Sequence, residues 1–152
     1  MKKAVFLLPV CFASLLLSGC FKSPYEKHAW FNNGYDWELK SPYIRIFDCP
    51  LYENQEQMDN FFPPFDGFIN ISGERTFFMM VTSSDYDKVF LHYYDPSSLV
   101  LSNDNLFLQA NVNYNLGDEL LNWDVTYDPN FGLVGKTITF VQVEKFSFEN
   151  NV

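Results

Sequence analysis

An all-β domain is the fold class this sequence predicts: a single antiparallel β-sandwich or small β-barrel of about seven to eight strands, with at most one or two short helical turns. Three observations carry that expectation. Turn-forming pairs recur from Asp66 onward at spacings of roughly 8–12 residues. The segments between them are rich in β-branched and aromatic residues. No long stretch sustains the apolar period of an amphipathic helix.

The first residues stand apart from that pattern. Met1, Lys2 and Lys3 are followed by AVFLLPVCFASLLL, an uncharged run from Ala4 to Leu17. A cationic start, an apolar stretch of about 14 residues and small residues at its end describe a secretory signal. The run is short of the ~20 residues a spanning helix needs, and Pro9 interrupts it. It closes on Leu17-Ser18-Gly19-Cys20, which resembles the lipobox of bacterial lipoproteins. The resemblance covers residues 1–20 alone. It implies that Cys20 is acylated and that the chain is cut before it, with the lipid bilayer as one partner. Two or three long acyl chains on one residue make a lasting anchor, where a single short chain binds only marginally. Phe21 and Lys22 follow, without the aspartate that retains enterobacterial lipoproteins in the inner membrane, so the expected location is the outer membrane, facing the periplasm.

The expected organisation is therefore a removed signal (1–19), a lipidated cysteine with a short tether (20–27) and one β-rich domain (28–152). Removing 19 of 152 residues leaves 133, which suits one core. The removed segment takes Lys2 and Lys3 with it, so a net charge of −9 becomes −11. Such a body repels nucleic acid and anionic headgroups, and no nucleic-acid partner is expected. With Cys11 removed and Cys20 acylated, Cys49 has no intrachain partner, and a buried, inert thiol is expected there.

Along the body, HAWFNNGYDWELK (28–40) carries Asn33-Gly34, the strongest two-residue hairpin signal, which would set Trp30 opposite Trp37. Further turns are expected at Asp66-Gly67, Ser72-Gly73, Ser84-Asp85, Asp95-Pro96, Asn103-Asp104, Leu116-Gly117 and Asp128-Pro129. Strands are expected at 43–47, 68–71, 76–82, 88–94, 106–114, 123–127 and 137–148. Segment 106–114 alternates most cleanly, with Leu106, Leu108, Ala110, Val112 and Tyr114 on one face. In 137–148 the apolar parity switches between Phe140 and Val141, which suggests a bulge or burial of both faces. Only 52–60, and a turn at 118–122, have helical character.

No catalytic constellation stands out: there is no G-x-S-x-G elbow, and His28 and His92 are the only histidines. No catalytic residue, cofactor or metal is expected. The pairs Asp85/Asp87 and Asp118/Glu119 read as solvated turn carboxylates rather than ligands of a hard cation, because NVNYNLGDE places its glycine one position late for a calcium loop. NFFPPFDGF (60–68) sets Phe61, Phe62 and Phe65 around two prolines, either as an exposed docking ridge or as rings tucked into the core. Trp30, Tyr35 and Trp37, beside Asn32, Asn33 and Asp36, offer the alternative of a sugar platform. The leading reading is a non-enzymatic, membrane-tethered binding module, an inhibitor or immunity protein. Its partner would be a basic toxin or hydrolase acting in the periplasm, met by Asp85, Asp87, Asp104, Asp118 and Glu119 as rim charges with Phe61, Phe62 and Phe65 as anchor. The body is similar at class level to small periplasmic immunity and inhibitor lipoproteins. A second reading is an envelope-structural or secretion accessory, since SPYIRIF (41–47) resembles an early strand of the type VI secretion lipoprotein. A glycan-binding protein is the third.

Overall fold

A computed structural model describes residues 29–31, 33–60, 64–95 and 101–148. Cys20, Phe61 and Phe62 lie outside the described residues. Eight strands run in chain order around a closed antiparallel barrel: β1 (Asp36–Lys40), β2 (Tyr43–Leu51), β3 (Phe65–Ile71), β4 (Glu74–Thr82), β5 (Lys88–Tyr93), β6 (Leu106–Asn113), β7 (Leu120–Tyr127) and β8 (Thr137–Val143). One short helix, α1 (Gln55–Asp59), links β2 to β3, and a 3₁₀ turn (Asn103–Asn105) precedes β6. Of the two architectures left open by the sequence, the barrel forms, because β8 pairs with β1 through Asp36↔Val143 and Glu38↔Val141. Closure removes both sheet edges.

The interior is filled with side chains, as the width of an eight-stranded barrel allows. Trp37, Ile44, Ile46, Ile69, Phe78, Leu91, Leu108, Ala110, Leu121, Trp123 and Phe140 are fully buried in one continuous cluster, and Trp30 joins it from the segment before β1. The outer wall of β6, β7 and β8 is polar. Asn111 faces Asp124 and Asn113 faces Asn122 across one pairing. On the other, the Thr137 hydroxyl donates to Asp124 and Thr139 to Asn122. On these three strands an apolar inside and a largely polar outside are the reverse of the pattern of a membrane-spanning barrel. No helix among the described residues is long and apolar enough to cross a membrane.

Several turn and strand expectations need correction. The Asn33-Gly34 hairpin does not form: Trp37 pairs with Ile46 of β2, and Gly34, at φ 96°, donates its amide to Asp48. Asp66-Gly67 is not a turn but lies inside β3. A Cβ at Gly67 would stand 2.1 Å from the Arg45 carbonyl oxygen and 2.5 Å from the Phe78 ring, so the glycine serves close packing rather than a bend. Residues 118–122 are not helical, since β7 already begins at Leu120. The clean alternation of 106–114 is broken at Phe107: the register slips between Leu91 and His92, and Phe107 is buried alongside Leu108, stacked on Tyr93. The last strand ends at Val143, with Ile138 and Phe140 inward and Val141 exposed, so neither a bulge nor double burial explains the parity switch. Val141 and Val143 still pair with β1, and beyond Val143 the chain takes a different packing role. Ser72-Gly73, with φ of 52° and 86°, does form the β3–β4 turn, and α1 sits within 52–60 as expected.

That different role is to cover the barrel's outer wall. Phe47, Phe65, Phe68 and Phe146 form a second buried cluster, edged by Tyr43, Leu51, Phe77, Tyr94 and Phe148. Phe47 and Phe68 alternate with inward Ile46 and Ile69, so they point outward, and the segment after β8 folds back over them. Phe146 stacks on Phe47 at 5.5 Å and meets Phe68 edge-on at 5.4 Å.

Candidate functional site

Antiparallel order sends successive loops to alternate ends of the barrel. The β2–β3, β4–β5 and β6–β7 connections share one end, together with the segment entering β1 and the one leaving β8. The β1–β2, β3–β4, β5–β6 and β7–β8 connections share the other. Four of the five sequence-selected carboxylates therefore gather at the first end. Asp85 and Asp87 lie between β4 and β5; Asp118 and Glu119 lie between β6 and β7. Glu53, Glu56 and Asp59, around α1, join them there. Asp104, in the β5–β6 connection, sits at the opposite end.

Local hydrogen bonds hold these loops in shape. Ser83 Oγ donates to Asp87 Oδ1 at 2.8 Å and accepts the Lys88 amide at 3.1 Å. The Val112 amide donates to the Asp87 carbonyl at 2.8 Å, tying the β4–β5 loop to the end of β6. Asp118 accepts the Asn115 amide at 3.0 Å, which closes the β6–β7 turn around Gly117 at φ 87°. The Asn54 side chain caps α1 by accepting the Gln57 amide. The acidic end is thus a set of fixed turns rather than loose chain.

The aromatic candidates fare differently. Phe65 is 2% exposed, stacked on Phe77 at 4.3 Å and edge-on to Tyr94 at 4.5 Å, so it packs inside the second cluster and offers no ridge. Trp30 and Trp37 are 0% and 1% exposed; Trp37 Nε1 donates to the Trp30 carbonyl at 2.5 Å. A sugar platform built on these two indoles is excluded by burial. Of that trio only Tyr35, 49% exposed, is at the surface. Cys49, expected to be buried, is exposed, in the stretch where the β2–β3 register shifts between Ile46 and Leu51. His92 is a strand residue, buried against the 3₁₀ turn with Nδ1 3.1 Å from both the Ser102 carbonyl and Asn105 Oδ1.

Sequence reasoning missed a dense polar cluster among the described residues. Arg45 on β2 pairs with Asp36 Oδ2 at 3.0 Å and Glu38 Oε2 at 3.3 Å on β1, as the register Glu38↔Arg45 permits. It also donates to the Glu144 carbonyl. Asp36 accepts the Phe146 amide at 2.7 Å and the Asp48 amide at 2.9 Å. Lys145 reaches Asp48 at 2.7 Å. Burial works to raise the Glu38 carboxyl, but hydrogen bonds from Lys40 and Tyr43 and the charges of Lys40 and Arg45 win and hold it below its ordinary value. These contacts bolt residues 144–146 onto the barrel wall. The sequence carried a signal for the cluster, acidic Asp36 and Glu38 two apart on one strand face, but not for the Glu144 carbonyl that Arg45 reaches 99 residues along the chain.

Asp66 is the exception among the acids. Burial pushes its carboxyl up to about 6, against a single favourable contact, the Met80 amide at 2.7 Å. Among the described residues no group of three or more His, Cys, Asp or Glu is placed to hold a metal ion.

Fold and site together define a class: a closed, side-chain-filled β-barrel with a carboxylate-rich end. No protein-family model, no curated protein and no solved structure matches the chain.

Proposed function

We propose that this protein is a non-catalytic binding module, tethered to the bacterial outer membrane through acylated Cys20, that receives a basic protein at the acidic end of its barrel. An inhibitor or immunity protein against a periplasm-acting toxin or hydrolase is the form of that role we favour. The observation that supports it is the gathering of Asp85, Asp87, Asp118 and Glu119, chosen from scattered positions in the sequence, at one end of the fold. A surface with an excess of one charge raises encounter rates with an oppositely charged partner. Filled barrel space argues against a carrier of ligands in the lumen, and the burial of Trp30 and Trp37 removes the basis of the glycan alternative.

Two measurements test the proposal. Mass spectrometry of the protein recovered from membranes is expected to find diacylglycerol on Cys20; an unmodified thiol there removes the tether. Affinity capture from a periplasmic extract is expected to retain a basic protein whose binding weakens with salt. Reversing Asp85 and Asp87 together to lysine is expected to slow association roughly tenfold. Retention indifferent to salt and to the reversal overturns the electrostatic reading.

A further inference from the structure

The acidic end carries one place that is neither simply charged nor simply apolar. Tyr35 before β1, Glu119 and Leu120 at the start of β7, and Val141 and Gln142 at the end of β8 line a surface pocket of about 400 Å³. Its walls come from three strands that register directly: Leu120 faces Val141, and Val141 faces Glu38. Its two aliphatic residues are exposed, Leu120 at 49% and Val141 at 39%. Leu116, 57% exposed on the neighbouring turn, extends the apolar area. Among the described residues the Glu119 side chain makes no hydrogen bond or ion pair. Elsewhere on the β7–β8 wall the outward residues pair with each other, as Asn122 with Thr139 and Asp124 with Thr137. Here the pairing stops and apolar side chains take the outward positions.

We infer that this pocket receives an arginine or lysine side chain of the basic partner and is the centre of the interface. The chemistry matches such a side chain along its length. Leu120 and Val141 offer surface for the methylene stem, which long cationic residues bury while keeping their heads polar. The Tyr35 ring offers a π-face for the cationic head, Glu119 an opposite charge, and the Gln142 amide an acceptor. A purely aliphatic or aromatic occupant would leave Glu119 desolvated without a partner, which is unfavourable. A purely ionic contact would have no use for exposed Leu120 and Val141. Interface centres commonly combine one desolvated cationic or aromatic anchor with a surrounding rim. Asp118 of the same turn supplies that rim, and Asp85 and Asp87 of the β4–β5 turn stand at the same end of the barrel. The inference rests on the proposed function only in taking the partner to be basic.

The test separates the two. The full-length protein, isolated from membranes and isotopically labelled, is titrated with acetyl-arginine amide, and with the citrulline and norleucine analogues that lack the charge. Saturable shifts confined to the amides of Glu119–Leu120 and Val141–Gln142 are expected for arginine, with neither analogue matching it. Glu119→Gln and Tyr35→Ala are each expected to weaken that binding about threefold, the scale of an exposed ion pair or cation–π contact. Both positions are surface-exposed, so the fold is retained, and unchanged shifts of the interior Leu121 and Phe140 amides check this. Shifts spread evenly over Asp85, Asp87 and Glu119, or norleucine binding as well as arginine, overturn the pocket. A captured basic partner whose affinity ignores Glu119→Lys also overturns the pocket while leaving the proposed function standing. Site-specific arginine binding in a protein that captures no basic partner does the reverse.

Discussion

The lumen of the barrel and the outer wall beneath the C-terminal segment are both built from buried aromatic rings, yet they are held by different physics. In the lumen, Trp123 sits among Trp30 at 6.1 Å and Phe140 at 4.6 Å, while the ion pairs of the described residues lie on β1, β2 and the segment after β8. Its stability rests on shape and on water excluded by closure. On the outer wall, Phe47 and Phe68 are covered by five residues of chain, and that chain is fixed by charged groups: Arg45 donates to the Glu144 carbonyl, Asp36 accepts the Phe146 amide, and Lys145 pairs with Asp48. Arg75 also lies 5.2 Å from the Phe68 ring and 5.0 Å from that of Phe146. A closed sheet needs no help to bury its inside. A strap laid over its outside does, because five residues cannot bury enough surface to outweigh the entropy of ordering them.

The contrast can be broken from either side. Trp123→Ala should cost the most, about 3–5 kcal/mol, by leaving a cavity in a lumen that cannot collapse. Urea unfolding should report it as one global transition, and a cost under 1 kcal/mol would mean the lumen is not tightly packed. Arg45→Met comes next, at about 3 kcal/mol, because it strands the buried carboxylates of Asp36 and Glu38. Adding Asp36→Asn and Glu38→Gln should restore much of the loss, which no lumen variant would show. Hydrogen exchange at Phe146, whose amide is held by Asp36, should quicken before that of Phe140.

Asp66 sharpens the comparison through pH. Its pKa is raised from 3.8 to about 6 in the folded protein, so the native state holds the proton more tightly than the unfolded chain. Its contribution is fully favourable below about pH 4 and is lost as pH rises through 6, a swing of up to about 3 kcal/mol. Asp66→Asn should therefore stabilise the protein at pH 7 and flatten the slope of stability between pH 4 and 6. An unchanged slope would place the carboxylate in water. Glu38 acts with the opposite sign: its pKa is depressed, so its contribution is present above its unfolded value and fades as pH falls through the folded one. The smallest effect belongs to Lys145→Ala. Lys145 is 58% exposed, and its pair with Asp48 should contribute little to stability and be erased by salt.

Composition, turn chemistry and residue alternation determined a good deal unaided. The all-β class, the approximate strand number, the short helix in 52–60 and the turns at Ser72-Gly73 and Leu116-Gly117 all follow from local preferences that neighbours along the chain express by themselves. Local reading failed wherever a residue answers to something distant. Gly67 looked like a turn because its true reason, the Arg45 backbone and the Phe78 ring, comes from other strands. Asn33-Gly34 looked like a hairpin because nothing nearby reveals that Asp48 takes the Gly34 amide. The parity switch in 137–148 could not announce that Phe146 packs outside the barrel rather than within it. Closure itself, the end at which each carboxylate stands and the meeting of Tyr35, Glu119 and Val141 were decided by tertiary structure alone. Hydrogen bonds between β1 and β8 join residues more than a hundred positions apart, and no short-range pattern encodes a contact that only the completed circuit creates.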